Sequence, residues 1–381
     1  MNIVKPGSTI GIIGGGQLGR MMALSAKAMG YRIAVLDPTP DAPCGQVADQ
    51  VITAPYDDYE ACKQLALMSD VLTYEFENID EHAAAQLSEM SDFPQGYEVL
   101  ATTQHRLKEK QALEQLSIPV APFAPISKLA DIADAIVVTG LPAILKTCRG
   151  GYDGKGQAVV KTTEDVEASC KALLNHGELV LERLIPFECE ISVLATKSRH
   201  GDVEIFPVAE NEHKESVLHR TIVPARIDTS IEEEAKRIAL RIVEGLNVVG
   251  TLAVEMFVTK EGTILVNELA PRPHNSGHYT IEACKVSQFE QHIRAVCGLP
   301  LRKPTLLSPC VMENVLGEQV SPLMERLDEL QQVSLHLYGK KEAKEKRKMG
   351  HLTVLEQDTA TCIQALDAFW EKKTKVLEEM E

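Results

Sequence analysis

Thr251-Leu252-Ala253-Val254-Glu255-Met256-Phe257-Val258, followed by Glu261-Gly262 and then Thr263-Ile264-Leu265-Val266-Asn267-Glu268, is the stretch on which the rest of the chain can be organised. Two apolar runs flank a turn, and glycine supplies the positive φ that a two-residue hairpin turn requires. With Glu261-Gly262 as the turn, facing positions have numbers summing to 523: Lys260 faces Thr263, Val258 faces Leu265, and Glu255 faces Glu268. Side chains alternate faces along a strand, so Glu255 and Glu268 project together. Like charges directly opposite are destabilising unless something neutralises them. Two hard oxygen ligands without a cage of further carboxylates suit a magnesium ion completed by water and phosphate oxygens. A turn differing by one residue would instead point the two groups apart.

Downstream, Asn267-Glu268-Leu269-Ala270-Pro271-Arg272-Pro273-His274-Asn275-Ser276-Gly277-His278 leaves the second strand as an extended, proline-fixed loop. A structural loop rarely gathers Arg, His, Asn and Ser directly beyond a metal ligand, so this segment is read as chemistry. Upstream, Ala143-Ile144-Leu145-Lys146 and Ala158-Val159-Val160 predict two short strands. Between them Cys148–Gln157 holds four glycines in seven residues. That pattern predicts a hairpin whose tip is a mobile flap. The flap amides, with Arg106, Lys146 and Lys155, can neutralise a triphosphate that magnesium bridges from the other side. A closing flap also excludes water from a labile intermediate. Each base alone reads as a solvated surface charge; their convergence is the signal.

The first hundred residues alternate strands (Ile10–Ile13, Ile33–Asp37, Val71–Tyr74) with helical patterns, which predicts an α/β, doubly wound parallel sheet. Gly14-Gly15-Gly16-Gln17-Leu18-Gly19 fits G-x-G-x-x-G between strand and helix, with Asp37 ending the next strand. Taken alone, this points to a nicotinamide-dependent dehydrogenase. Its physical content is narrower: amides at a helix N-terminus can approach some anion. A helix is expected from about Thr102 to Leu116, stopped by Pro119. Another carries the stripe Ile231, Ala235, Ile238, Ile242, Leu246, and a C-terminal one carries Ile363, Leu366, Phe369, Trp370 and Leu377. Lys340, Lys341, Lys344, Lys346, Arg347 and Lys348 read equally as a solvated helix face or as a phosphate holder. Pro119–Pro122 and Leu299-Pro300 are the linker candidates.

The bulk composition narrows the classes. The chain has 381 residues, enough for several domains, with 44% hydrophobic and 25% charged residues, the balance of a folded soluble protein. A net charge of −16 repels nucleic acid and anionic membranes, so any anion site must be built from local positive groups. No apolar stretch approaches the length of a membrane span, and the N-terminus has no secretory pattern, so a cytoplasmic location is expected. Nine scattered cysteines without a Cys-x-x-Cys pair argue against a disulfide framework or a structural zinc site.

Several segments together resemble the N5-carboxyaminoimidazole ribonucleotide synthetases, ATP-grasp carboxylases of purine synthesis. They are Gly14–Arg20, Thr73-Tyr74-Glu75-Phe76-Glu77-Asn78, the flap Gly150–Gln157, Asn267–His278, and Tyr338-Gly339-Lys340 with Arg347–His351. The resemblance implies an ATP-grasp fold in three domains: a preATP-grasp domain over 1–101, an ATP-grasp domain over 102–298 (flap subdomain about 120–182, metal-binding subdomain about 183–298), and a C-terminal domain over 299–381. It implies a ligase that joins bicarbonate to 5-aminoimidazole ribonucleotide at the expense of ATP, through carboxyphosphate, with magnesium (two ions) and as a homodimer. ATP contacts carried over by motif are Arg106, Lys146, Gly151, Tyr152, Asp153, Gly154, Lys155, Gly156, Gln157, Glu182, Arg183, Leu184, Ile185, Glu190, His213, Asn267 and Glu268. Ribonucleotide contacts are Gly16, Gln17, Leu18, Glu75, Asn78, Arg272, Asn275, Ser276, Lys340 and Arg347. Catalytic roles fall on Lys146, Arg272, Tyr152 and Asp153, and the metal on Glu255 and Glu268. Many ATP-grasp enzymes place Asn two residues after the second carboxylate; Ala270 stands there in this chain, as in the carboxyaminoimidazole enzymes. Rival readings are a formate-using or biotin-carboxylating sibling, a nicotinamide dehydrogenase, and a non-catalytic nucleotide sensor.

Overall fold

The computed structural model describes residues 3–151 and 156–371. Strands β1 (Thr9–Ile13), β2 (Arg32–Leu36), β3 (Gln50–Ile52) and β4 (Val71–Tyr74) form a parallel sheet in the order β3-β2-β1-β4. Residues 10–13 and 33–36 are continuously buried, as a sheet covered on both faces demands. Met22 and Ala26 of helix Gln17–Ala28 lie on one face together with Phe289, Ile293 and Val296 from the distant helix Gln288–Cys297. Cys62, Leu65 and Leu87 cover the other.

The second sheet is small and antiparallel: β5 (Phe123–Ile126), β6 (Ala143–Thr147), β7 (Gln157–Val160) and β8 (Leu179–Arg183), ordered β5-β8-β6-β7. Helices Ile132–Thr139 and Thr163–Leu173 pack on it through Ala135, Val166 and Cys170. The flap hairpin is therefore present, with Lys146 opposite Gln157 at its open end. Tyr152, Asp153, Gly154 and Lys155 lie outside the described residues.

The third sheet has nine strands: β9 (Phe187–Lys197), β10 (Val203–Ile205), β11 (Ala209–Lys214), β12 (Val217–Val223), β13 (Gly250–Thr259), β14 (Ile264–Ala270), β15 (Cys310–Leu316), β16 (Val333–Leu337) and β17 (Lys348–Leu355). Its order is β14-β13-β9-β11-β12-β15-β17-β16, with β10 on β9. The strands beyond Pro300 thus extend the same sheet that carries the carboxylate hairpin, through β12 against β15. Helix Thr229–Gly245 buries Ala235, Ile238 and Ile242 against it, and helix Thr359–Glu371 buries Cys362, Leu366 and Phe369. Leu377 lies outside the described residues. Among the described residues no helix is long and apolar enough to cross a membrane. All nine cysteines are free, and eight are buried.

Three local expectations are corrected. The helix from Thr102 to Leu116 is two, Glu98–Thr103 and Arg106–Gln115. His105 is extended between them (φ −128°, ψ 103°), and Gln104 turns its amide to the carbonyls of Glu77 and Ile79. The lysine-rich run sits in the connection from β16 to β17 and ends on the first residue of β17, Lys348, not on a helix face.

The third correction concerns the hairpin. Thr259 N–H donates to Thr263 O and Gly262 N–H to Thr259 O, both at 2.9 Å, so the loop is the three residues Lys260-Glu261-Gly262. Gly262 takes the left-handed backbone (φ +77°) usual in such loops. Val258 consequently faces Ile264 rather than Leu265. A bulge between Glu255 and Met256, at Asn267 on the partner strand, then shifts the register back. Glu255 faces Glu268 after all. Two one-residue departures cancel before the carboxylates are reached.

A Cβ on Gly262 would meet only Ile231 at an ordinary 3.6 Å, so its cost is the backbone conformation alone. Gly262→Ala is expected to lower stability by about 1 kcal/mol. A urea midpoint checks this, with nucleotide binding unchanged because the bulge still sets the register.

Candidate active site

A cleft of about 660 Å³ lies where the three sheets meet. Its floor is β13 and β14. Glu255 and Glu268 face each other there, and neighbouring β9 and β11 add Glu190 and His213. Burial, then the charge of Glu268, pushes the Glu255 carboxyl up from its ordinary 4.5 to about 7. His274 Nε2 stands 3.4 Å from Glu255 Oε1. Burial, with Arg272 and Lys348 nearby, holds that imidazole well below its usual range, so it is neutral. His213 Nδ1 lies 2.9 Å from Glu190 Oε2. Burial pushes His213 down, but the bond to Glu190 outweighs it and holds the ring above its usual range.

The flap side supplies the positive charge. Arg106 begins helix Arg106–Gln115, where its guanidinium donates to Thr147 O (3.1 Å) and Gly151 O (2.9 Å) and stands 3.9 Å from Glu268. One turn on, the same helix presents Glu109 and Lys110. Burial and the charge of Glu268 push the Glu109 carboxyl well up, while it accepts from Leu269 N–H at 3.2 Å. Lys110 Nζ and Lys146 Nζ sit 3.0 and 3.1 Å from the same Glu182 oxygen. Burial raises Glu182, and the two lysines more than offset this, holding it below the usual carboxylate range. Burial also lowers Lys146 against the pull of Glu182. The triad stands beside the cleft, which Lys146 lines.

The third wall comes from the parallel sheet. Glu75, at the end of β4, accepts from the amides of Gly16 and, at 2.7 Å, Gly19; Asp37 accepts from Gly15 N–H at 2.7 Å and Tyr56 O–H at 2.6 Å. The anion-binding amides of the glycine turn are thus taken by the chain's own carboxylates. A dinucleotide pyrophosphate would have to displace both, and Asp37 is committed before any ribose arrives. This removes the physical ground for the dehydrogenase reading. Glu77 meets Arg272 in a two-pronged ion pair, at 2.5 and 2.9 Å. Burial raises Glu77, and Arg272 overrides it and holds the carboxyl low.

Of the residues expected from the sequence, Gln17, Leu18, Glu75, Asn78, Arg106, Lys146, Gly151, Gln157, Glu190, His213, Glu255, Asn267, Glu268, Arg272 and Asn275 line this one cleft. Asn275 is fixed by reciprocal amide bonds with Asn314 (3.0 and 2.6 Å), and buried Ser276 accepts from Ser192 (2.8 Å) behind the wall. Gly16 and Gly156 sit beside the cleft, with Gly156 O accepting from Thr147 N–H at 2.9 Å. Glu182 contributes through its lysines; the amides of Arg183 and Leu184 bond Pro122 O and Pro142 O, and Ile185 follows on the same strand connection. Lys340 donates to Lys348 O (2.8 Å) and exposed Arg347 to Glu342 O (3.0 Å), both outside the lining. The sequence reasoning missed Glu77, Glu109, Lys110, His274 and the stacked pair Phe187–Phe257, whose rings lie 4.7 Å apart, whereas Lys348, from the lysine-rich run already singled out, lines the cleft. For Glu109 and Lys110 the available signal was helical spacing from Arg106; for Glu77 and His274, membership of segments already singled out.

Glu182→Gln leaves buried Lys110 and half-buried Lys146 without their shared counter-charge and is expected to cost about 3 kcal/mol. Glu167→Gln, which breaks only the exposed pair with Lys171, should stay within about 0.5 kcal/mol. Urea denaturation of both variants checks the contrast.

Three family models match the chain: the ribonucleotide synthetase preATP-grasp domain over residues 7–104, the ATP-grasp domain over 111–289, and the phosphoribosylaminoimidazole carboxylase C-terminal domain over 310–365. The N5-carboxyaminoimidazole ribonucleotide synthase of Bacillus subtilis (strain 168) is 51% identical over 368 residues, 97% of each chain. A solved structure of N5-carboxyaminoimidazole synthetase from Staphylococcus aureus complexed with ADP is 45% identical, with a TM-score of 0.93 over 97% of this chain and 99% of that one. The Aspergillus clavatus synthase in complex with ADP and 5-aminoimidazole ribonucleotide is 29% identical, with a TM-score of 0.88 over 95% and 98%. With the carboxylate pair, flap and glycine turn converging on one cleft, these likenesses place the chain: it belongs to the N5-carboxyaminoimidazole ribonucleotide synthase family.

Proposed function

We propose that the protein is a ligase that uses ATP to carboxylate 5-aminoimidazole ribonucleotide with bicarbonate, giving N5-carboxyaminoimidazole ribonucleotide, ADP and phosphate. One observation carries this reading: a single cleft joins the flap hairpin, the facing carboxylates and the N-terminal glycine turn. It has room and donors for a nucleotide and a second phosphorylated substrate side by side.

Adenine is assigned to the apolar end, between Ile144 and the Phe187–Phe257 stack, beside the connection Glu182–Ile185. Glu190 and His213 are placed to meet the ribose hydroxyls. The phosphates run toward Lys146, Arg106 and the flap from Gly151 to Gln157. Glu255 and Glu268, with Asn267, would hold magnesium, whose chemistry is to neutralise the phosphate oxygens. The residues fit that ion: two carboxylates face each other, and one of them is held to about pKa 7 by burial and by its neighbour's charge.

Bicarbonate oxygen attacks the γ-phosphorus, the bond to the ADP oxygen breaks, and carboxyphosphate forms. Arg272, already oriented by Glu77, is aimed at that intermediate. The exocyclic amine of the ribonucleotide then bonds to the carboxyl carbon as phosphate departs, and the amine loses a proton. Gln17, Leu18, Glu75, Asn78 and Asn275 line the ribonucleotide's side of the cleft. Lys340 and Arg347, with Lys348 at the edge of the cleft, are assigned to its phosphate. Tyr152 and Asp153, outside the described residues, are assigned to the amine and its proton. Family resemblance supports three domains at 1–101, 102–298 and 299–381, a cytoplasmic homodimer, and no nucleic-acid or membrane partner.

Glu268→Gln should reduce ADP formation about a thousandfold while circular dichroism stays native. Full activity would remove the metal assignment. ADP release should require both aminoimidazole ribonucleotide and bicarbonate, and formate should not substitute. A formate-supported rate would instead assign the sibling reaction.

The raised Glu255 predicts a pH dependence with a definite sign. Between the ordinary 4.5 and about 7 the folded protein holds a proton there that a bound cation must expel. Magnesium affinity at saturating ADP is expected to be about tenfold weaker at pH 6 than at pH 8, measured by calorimetry. In Glu255→Gln that difference should shrink; a wild-type profile flat across this range would contradict the assignment.

A further inference from the structure

We propose that Glu282, His336 and His351 form a second metal site, distinct from the carboxylate pair, selective for a divalent transition ion of the zinc class. His336 on β16 and His351 on β17 are direct cross-strand partners, and their rings stack at 4.6 Å with 15° between planes. Glu282, from the short helix Thr280–Ala283, reaches the same spot, with Oε1 2.5 Å from His336 Nε2. One donor atom from each of the three lies within 4.8 Å of the others. Donors around a tetrahedral zinc stand about 3.4 Å apart, so side-chain adjustment of about an ångström completes the set.

The hydrogen bonding at this spot is incomplete in the way a metal would complete it. His351 is fully buried; its Nδ1 meets Tyr338 Oη at 2.9 Å, while its Nε2 has no hydrogen-bond partner among the described residues. A metal-ligating imidazole is ordinarily fixed through its far nitrogen in this manner. Glu282 Oε2 is also buried without a hydrogen-bond partner among the described residues. So is Nε2 of His278, whose ring centroid lies 4.8 Å from that of His351. Three unsatisfied polar atoms in one buried cluster need an explanation, and a cation on His351 and Glu282 supplies one for two of them. Two imidazoles and one carboxylate select zinc, nickel or copper over magnesium.

None of the three residues lines the nucleotide cleft. The site joins the helix that follows the Arg272 loop to the two strands flanking the Tyr338–Lys348 connection. An ion there would pin these elements together and stiffen the lysine-bearing segment from behind. It is a positioning site with no contact to reacting atoms.

The test uses the full-length protein stripped of metal, with millimolar magnesium and saturating ADP present, titrated with zinc chloride against a chromogenic chelator. One zinc should bind with micromolar or tighter affinity and raise the melting temperature by several degrees. His336→Gln, which keeps an amide for Glu282 but removes the strong donor, and Glu282→Gln should each weaken that zinc at least tenfold. Cys148→Ser should not, since it alters only the other donor cluster, His105, Cys148 and Glu178. If one variant fails to fold, the other decides. Absence of zinc binding by the wild type, or equal binding by both folded variants, overturns the site.

Discussion

Two carboxylates facing each other across β13 and β14 are the constraint from which the rest of the cleft follows. An apolar hairpin with Glu255 opposite Glu268 stores repulsion at its end. Among the described residues Arg106 makes only a long ion pair with Glu268, at 3.9 Å, while it is occupied with the carbonyls at the base of the flap. His274 approaches Glu255 as a neutral ring. The repulsion is left for a ligand to resolve. A site that binds a metal with a triphosphate needs that open demand for positive charge, because a saturated pair would have nothing to offer an ion.

Around this pair the chain assigns its remaining charges carefully, as a protein with a net charge of −16 must if it is to hold anions. Glu182 holds two lysines in place. Glu77 fixes the Arg272 guanidinium without consuming all its donors. Glu75 and Asp37 fill the glycine turn. Glu182 and Glu77 each hold a side chain that lines the cleft, Lys146 and Arg272. The glycine turn shows how a fold can be reused: the amides that would hold a pyrophosphate in a dinucleotide fold hold internal carboxylates here, and Gln17 and Leu18 are left to line the wall.

Much of this was legible in the sequence because the chemistry needs residue types at short range. Three strands of the parallel sheet, β1, β2 and β4, follow from apolar runs, whereas the short edge strand β3, half exposed, offers no such signal. The flap follows from its glycines, and the loop after β14 from its crowd of polar donors. The facing glutamates were found through an argument with a compensated error. A three-residue turn and a bulge at Asn267 offset each other, and neither carries a decisive local signal, since Glu261-Gly262 suits both loop lengths. The break at His105 was hidden because flanking residues are all compatible with a helix; the cause is the long-range bond from Gln104 to Glu77 and Ile79. Lys110, invisible as one more lysine on a polar helix, becomes significant only once β8 brings Glu182 against it. Nothing at Leu299-Pro300 indicates that the next strands continue the same sheet, because that pairing, β12 with β15, joins residues about ninety positions apart.

The most direct test of the central claim is crystallographic. Crystals grown with ADP and manganese, in place of magnesium, should give an anomalous difference peak bridging the Glu255 and Glu268 carboxylates and the terminal phosphate of the nucleotide. A nucleotide bound in the cleft with its manganese coordinated elsewhere, and with these two side chains turned away from it, would contradict the account.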